Sequence, residues 1–417
     1  MLWQEEAVTG WREKLSGLFL EGRVRDDFRQ FLLFAFGYGI VLVLGYLVLR
    51  KINLTLSTEE MGKFSYLSGL VYVVMPILYL AAPQAYLRFH DNHAVSPLLR
   101  RRLLPLFSFA ALGIAAILWW KTGSWAAMLF AAYPFFNERL FVFRAQMRTH
   151  AVNLLKVAEL LVPLGTLYLL PLAGAGEWTQ SAAAMLAAYG IGYCMAFMFP
   201  LRLRDCGAPN VRTLGRFLAP VALTTVVAAL IENLTVVATK SLLGYEAAAQ
   251  VGVATRNLIF IRALFSLLQM FYPVIYFREM REGHHRLVSL YRAFVVVVAV
   301  LFVGTMAIGA PLLYSLTGAS AYVSSSRVFV ILAAAMLFDF LFDTYSLFFQ
   351  YEIRTWKATL VKTGTLLLLG GGFGVLFVLG AARVSPIHFA CVTGGATLLS
   401  ASFGIAWSVL AERRSRT

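Results

Sequence analysis

Residues Tyr291–Leu312 read YRAFVVVVAVLFVGTMAIGAPL, an almost wholly apolar run. A bilayer hydrocarbon core roughly 30 Å thick takes about 20 apolar residues in a helix rising about 1.5 Å per residue, and this run has that length. Working outward from it, the hydropathy gives about twelve such stretches. Hydrophobic residues make up 60% of the chain and charged residues 14%, with a mean hydropathy of +0.74. No soluble core hides that much apolar surface, so the bilayer is the solvent. Open sheet edges are not tolerated in lipid and the alternation of a barrel wall is absent, which leaves an all-α polytopic membrane protein.

The spans fall at Phe31–Leu49, Phe64–Leu87, Leu104–Trp120, Trp125–Phe143, Ala151–Leu170 and Ala182–Pro200, then at Leu214–Ala238, Gly252–Val274, Tyr291–Leu312, Arg327–Leu347, Ala358–Leu379 and Ile387–Leu410. Cytoplasmic loops retain positive charge, and placing the N-terminus inside puts most of the 36 Lys and Arg residues in or beside cytoplasmic segments. Both termini are therefore expected in the cytoplasm. The organisation read from this is a cytoplasmic leader over 1–28, a first six-helix lobe over 29–201, a basic linker over 202–213, a second six-helix lobe over 214–410 and a tail over 411–417. Both halves enter the membrane from the same side, and a shift of 190 residues aligns Arg50 with Lys240 and Gly62 with Gly252. Two lobes related by an axis along the membrane normal, with a cleft between them, are the expected architecture.

The net charge of +15 is spread over short loops beside membrane helices, so anionic lipid headgroups are the expected partner and nucleic acid is not. The three cysteines, Cys194, Cys206 and Cys391, give neither a disulfide framework nor a metal spacing. His90, His93, His284 and His285 lie in basic loops and read as solvated. Asn53-Leu54-Thr55 and Asn233-Leu234-Thr235 read as chance glycosylation triplets. Val8, Trp11, Leu15 and Leu18 share one face of a helix expected to lie in the cytoplasmic interface. Neither a phosphate-cradling loop nor a nucleophile–base constellation is present, so no catalytic residue, metal or cofactor is expected, and ATP hydrolysis by this chain is argued against.

The stretch from Leu49 to Arg88, LRKINLTLSTEEMGKFSYLSGLVYVVMPILYLAAPQAYLR, has a basic residue closing the first helix, an acidic pair before a Gly-aromatic turn, and a small-residue region near the end of the second helix; Arg50, Glu59, Glu60, Gly62 and Phe64 carry the pattern. It resembles the start of Wzx-type polysaccharide flippases of the multidrug/oligosaccharidyl-lipid/polysaccharide (MOP) superfamily. GYEAAAQVGVATRNL from Gly244 and LLYSLTGASAYVSSSRVFVIL from Leu312 are similar to the corresponding turns of the second lobe. Ordinary capping accounts for part of this, since Ser57 and Glu60 form a capping box. The resemblance implies a flippase of the bacterial cytoplasmic membrane that moves an isoprenoid-pyrophosphate-linked oligosaccharide during surface polysaccharide (lipopolysaccharide, O-antigen) biosynthesis. It also implies a polymerase or glycosyltransferase as partner.

The charges inside the spans indicate the cargo, because an unpaired charge at a helix centre costs roughly 2.5–3.5 kcal/mol and is expected to face water or a partner. Glu232 and Arg256 lie at similar depth, roughly 9 and 10 Å from the midplane, and a pair between them is feasible. Arg262 falls near the midplane with no acidic partner at its depth, which makes it the first candidate for contacting an anionic cargo; an internal ion pair and a partner interface are its other readings. Arg50, Lys156, Arg256 and Arg262 are thus the substrate-binding candidates. Lys156 and Glu159, three residues apart, either neutralise each other or line the cleft. Asp339 and Asp343, one turn apart, read with Glu232 and Glu159 as ion-coupling or gating candidates, unless Asp343 only pairs with Arg354 or Lys357. Gly370, Gly371, Gly372 and Gly374 permit either a bend or close packing. A drug/cation antiporter using Asp339, Asp343 and Glu232 is the alternative function, and a non-transporting scaffold of a polysaccharide-synthesis complex the third.

Overall fold

The computed structural model describes residues 22–79, 132–145, 148–198, 211–352 and 354–416, with isolated positions between 109 and 129. The described helices are α1 (Gly22–Thr55), α2 (Thr58–Tyr79), α3 (Tyr133–Ala145), α4 (Thr149–Leu172), α5 (Ala182–Cys194), α6 (Val211–Leu243), α7 (Tyr245–Asn257), α8 (Ile259–Glu282), α9 (His285–Ile308), α10 (Ser326–Tyr351), α11 (Trp356–Leu379) and α12 (Pro386–Arg416), with short helical turns between some of them. Among the described residues there is no strand, and 8 helices are long and apolar enough to cross a membrane. The protein is an all-helical, multi-pass membrane protein. The leader helix, most of the span Leu104–Trp120, most of the linker 202–213, His90, His93 and Cys206 lie outside the described residues.

Large aliphatic side chains such as Leu172, Ile308 and Val378 are more than four-fifths exposed, as a lipid-facing surface requires. Between helices an apolar core, in which Phe136, Tyr314 and Phe329 are fully buried, is laced with small polar contacts. Thr224 and Thr359 share a hydrogen bond of 2.7 Å and Thr235 and Thr393 one of 2.8 Å, joining α6 to α11 and α12. The glycines of α11 interrupt nothing, since the helix is continuous through them. A Cβ at Gly372 would come within 2.5 Å of Val392, so that glycine serves close packing on α12.

The helices run further than hydropathy suggests. The sequence places loops over 50–63 and 239–251, yet only Leu56 and Ser57 separate α1 from α2, and only Gly244 separates α6 from α7. The polar residues that look like loop are the projecting ends of helices, and two local devices make the turns tight. The Ser57 hydroxyl accepts the Glu60 N–H at 3.3 Å, capping α2. Gly244 takes φ +88°, a conformation side chains with a Cβ rarely adopt. The capping box is half formed, because the Glu60 carboxylate turns outward to accept the Ala182 N–H at the start of α5, at 2.8 Å. The expected eighth span is two helices, α7 and α8, that meet at Leu258; in the expected sixth span α5 ends at Cys194 and tightens into a 3-10 turn over Met195–Met198.

Two sets of contacts bring the halves of the chain together. α2 packs against α6 and α7, and α1, seated on α4 of its own half, also meets α8.

Candidate functional site

The site is built where α2 crosses α7. A Cβ at Gly62 would lie 2.1 Å from the Tyr245 carbonyl oxygen, and one at Gly252 would lie 2.1 Å from Ser65 Oγ, so both glycines are needed for the backbones to approach. That approach sets the next turn. Ser65 donates to the Met61 carbonyl at 2.6 Å, which leaves its oxygen lone pairs for the Arg256 guanidinium, also at 2.6 Å. Arg256 lies 4.4 Å from the Phe64 ring centroid and touches the Met61 sulfur. A desolvated cation over an aromatic face gains about 2 kcal/mol, so Phe64 compensates part of the lost hydration.

Arg256 opens onto a cavity of about 300 Å³ with walls from α1, α2, α4, α5, α6, α7 and α8. Arg262, Lys156 and Glu159 share its lining. Lys156 bonds Glu159 at 2.8 Å, so the expected i, i+3 pair forms and lines the cavity as well. The Glu232–Arg256 pair does not form: Glu232 Oε2 lies 3.5 Å from Arg262. Arg262 is therefore not the cation without a partner. The reason is the start of the eighth span, which begins at Tyr245 rather than Gly252 and moves both arginines relative to α6. With Lys156 and Arg262 neutralised, Arg256 gives the cavity one net positive charge, and it has no carboxylate partner among the described residues.

Phenols that the sequence reading did not single out, Tyr72, Tyr189 and Tyr193, share the lining. Tyr189 stacks on Phe64 with centroids 6.2 Å apart, and the hydroxyls of Tyr72 and Tyr193 are 2.8 Å apart. Tyr133 meets Tyr193 edge-on at 4.9 Å. Aromatic spacing in α5 was visible, but every apolar helix here is rich in rings, so the signal was not distinctive.

Asp339 and Asp343 do not line this cavity. Both carboxylates bind the ammonium of Lys362 on α11, Asp343 at 3.1 Å, instead of Arg354 or Lys357. Lys362 is 3% exposed and was missed, although a lone lysine within an apolar span was the available signal. Arg50, on α1, is exposed and outside the cavity lining. His284 is half-exposed and pairs with Glu279 at 2.9 Å; with Glu282 these groups bring three ligand atoms within 4.8 Å at the end of α8, an arrangement the histidine–carboxylate pairing itself explains.

By sequence, no family model and no curated protein matches the chain. By structure it is similar to a multidrug resistance MATE family transporter of the MOP superfamily in an inward-facing conformation, with TM-score 0.59 and 12% identity over 90% of this chain and 98% of that one. It is also similar to a MATE protein in the straight conformation, with TM-score 0.60 and 14% identity over 93% and 97%. A third similar structure is a MOP superfamily transporter from Pyrococcus furiosus, described as having a binding pocket of reverse polarity that suggests a different function, with TM-score 0.59 and 14% identity over 93% and 96%. The chain has the fold of the MATE transporters of the MOP superfamily.

Proposed function

We propose that the protein is a transporter that moves an isoprenoid-pyrophosphate-linked oligosaccharide across the bacterial cytoplasmic membrane by alternating access. One observation carries the reading: Arg256 brings an uncompensated guanidinium to a cavity lined from both halves of the chain. A forked, permanently charged donor suits pyrophosphate oxygens, and the phenols of the cavity lining suit sugar rings. In this reading residues 29–201 and 214–410 are lobes that rock about the cavity, joined by 202–213, and both termini are cytoplasmic. The test is mass spectrometry of lipid-linked sugars, with leaflet accessibility, in a deletion strain complemented by wild type or Arg256→Ala. Sugar-loaded carrier trapped on the cytoplasmic side and cleared only by the wild type supports the reading; an unchanged carrier pool in the deletion strain overturns it.

A drug/cation antiporter is the second reading, favoured by the likeness to structures described as multidrug resistance transporters. It leans on Glu159 and Glu232 rather than on arginine, so Arg256→Ala leaves transport intact and Glu159→Gln does not.

A further inference from the structure

We propose that Glu159 reads the sugar joined to the pyrophosphate, accepting hydrogen bonds from its hydroxyls, while Lys156 cancels the charge of the carboxylate so that an anionic cargo can enter. The inference rests on the transport reading above and names the residue that gives it specificity. A carboxylate in a cavity built for an anion is an anomaly, and among the described residues Glu159 is the one carboxylate of that lining. Left bare, it would repel the pyrophosphate that Arg256 attracts.

The first half of the chain holds Glu159 in a defined place. Lys156 Nζ bonds its Oε2 at 2.8 Å and stands 5.0 Å from the Phe136 ring centroid, so the ammonium is fixed from two sides. The other carboxylate oxygen, Oε1, takes no partner among the described residues. A Cβ at Gly192 would lie 2.6 Å from the Glu159 carbonyl oxygen, so α5 crosses α4 at this residue, and Tyr193 follows directly in the chain. Tyr72 and Tyr193, joined through their hydroxyls at 2.8 Å, both feel the Glu159 charge. A carboxylate acceptor beside phenols, whose hydroxyls donate as well as accept, meets the needs of a ring edged with hydroxyls.

The division of labour follows from the covalent structure of the cargo. The anomeric carbon of the sugar is bonded through oxygen to the terminal phosphate, so the group next to phosphates held at Arg256 is the first sugar. At about 300 Å³ the cavity is at the small end of the roughly 300–1,000 Å³ of ligand sites, which leaves the later sugars outside. A site built to bond a hydroxyl rejects a ligand lacking it, because its own polar groups are then left unpaired.

The experiment is calorimetric titration of the purified full-length protein with farnesyl pyrophosphate and with the same lipid carrying one sugar on its terminal phosphate: glucose, galactose or the N-acetylamino form of either. In the wild type one sugar-bearing probe is expected to bind about 10- to 100-fold more tightly than the bare lipid, the worth of hydrogen bonds to a charged acceptor. Glu159→Gln is expected to cut that advantage about five- to tenfold and, by freeing Lys156, to tighten the bare lipid. Lys156→Met leaves the carboxylate charge uncancelled and is expected to weaken every probe while keeping the advantage. No advantage in the wild type, or one that Glu159→Gln leaves whole, overturns the inference and leaves the transport reading standing on Arg256-dependent binding of the bare lipid. Should Glu159→Gln not fold, Lys156→Met decides, and bare-lipid affinity equal to that of the wild type overturns the inference. Wild-type protein that binds no pyrophosphate probe, or that binds tetraphenylphosphonium through Glu159 instead, overturns the transport reading and this inference with it.

Discussion

The carboxylate of Glu232 lies 3.5 Å from the guanidinium of Arg262, and this pairing decides which cation of the cavity is left for a ligand. Both partners are about half exposed, so the pair itself contributes at most about 1 kcal/mol to stability. Its larger effect is on ligand charge. With Arg262 and Lys156 each matched, the field of the cavity is that of Arg256, six residues earlier and anchored to Ser65 rather than to an acid.

Arg256→Ala is expected to weaken binding of a short isoprenoid pyrophosphate, such as farnesyl pyrophosphate, by about 10- to 100-fold, the worth of a charge-assisted hydrogen bond of about 1.5–3 kcal/mol. Arg256→Lys keeps the charge and loses the fork, and falls between. Calorimetric titration of the purified protein checks this. Equal affinity in wild type and Arg256→Ala would remove the guanidinium from the ligand site.

Glu232→Gln tests the pairing from the other side. Freed from its carboxylate, Arg262 adds a second net charge to the cavity, so the same titration is expected to give tighter binding and a steeper decline with salt. The melting temperature should barely move. Unchanged affinity and unchanged salt dependence would place Arg262 outside the ligand's reach.

Gly62 and Gly252 both resist alanine and differ in what must move. At Gly62 the new methyl meets the Tyr245 carbonyl at 2.1 Å, and backbone does not yield, so Gly62→Ala is expected to cost about 1–3 kcal/mol of stability. At Gly252 it meets Ser65 Oγ at 2.1 Å and Ser65 Cβ at 2.4 Å, so turning the hydroxyl away makes no room and α2 must shift at the residue that anchors Arg256. Gly252→Ala is therefore expected to lose stability and affinity together. Ser65→Ala alone keeps the crossing and removes the anchor, so it is expected to lose affinity with little change in melting temperature, and a melt paired with a titration for each variant separates the two outcomes.

How far the sequence discloses this site follows from the physics of each part. Spans are legible because lipid demands about 20 apolar residues in a row. Lys156 with Glu159 was legible because i, i+3 contacts are local. The Glu232 pairing was not, because depth estimates hang on where a helix starts, and a single glycine turn at 244 displaced that start by seven residues. Lys362 escaped for the opposite reason: its carboxylates are on another helix, and only packing of α10 on α11 brings them together. Gly62 and Gly252 were visible as a repeated pair, but that each meets the other helix is a property of the crossing and not of either segment.

Glu60 and Lys63, at the end of α2 outside the apolar span, predict a pH response. Burial raises the Glu60 carboxyl, but the Ala182 N–H and the Lys63 ammonium outweigh it and hold the group below its ordinary value. The stabilisation is thus complete above the unfolded carboxylate value near 4.5 and is lost as pH falls through the depressed folded one. Lys63, bonded to Glu60 and Glu59, is shifted upward, so its share is present below about 10.5 and lost only at more alkaline pH. Unfolding midpoints from pH 3 to 6 are expected to fall less steeply in Glu60→Gln than in the wild type. Parallel curves would mean that Glu60 binds Ala182 equally well when protonated.

The closing seam at the end of α1 gives the most direct test of alternating access. Asn53 Nδ2 donates to the Thr317 carbonyl at 2.9 Å and the Tyr46 hydroxyl to the Leu316 carbonyl at 3.0 Å, so the first half of the chain is tied to a turn of the second. Gly318 completes the fit: with φ +71° it passes so close to α1 that a Cβ would lie 2.8 Å from the Leu54 side chain. Yet the seam holds a polar atom without a partner among the described residues, Asn53 Oδ1, which water would satisfy once the seam parts. A joint that is tight in shape and incompletely bonded is one that opens at modest cost. With Cys194, Cys206 and Cys391 replaced by serine, Asn53→Cys with Thr317→Cys is expected to cross-link under mild oxidant. Transport should then stop, and reductant should restore it. Binding of the pyrophosphate probe should survive cross-linking if the cavity is reached from the opposite face. Undiminished transport by the fully cross-linked protein would show that the seam never opens and would end the rocking mechanism.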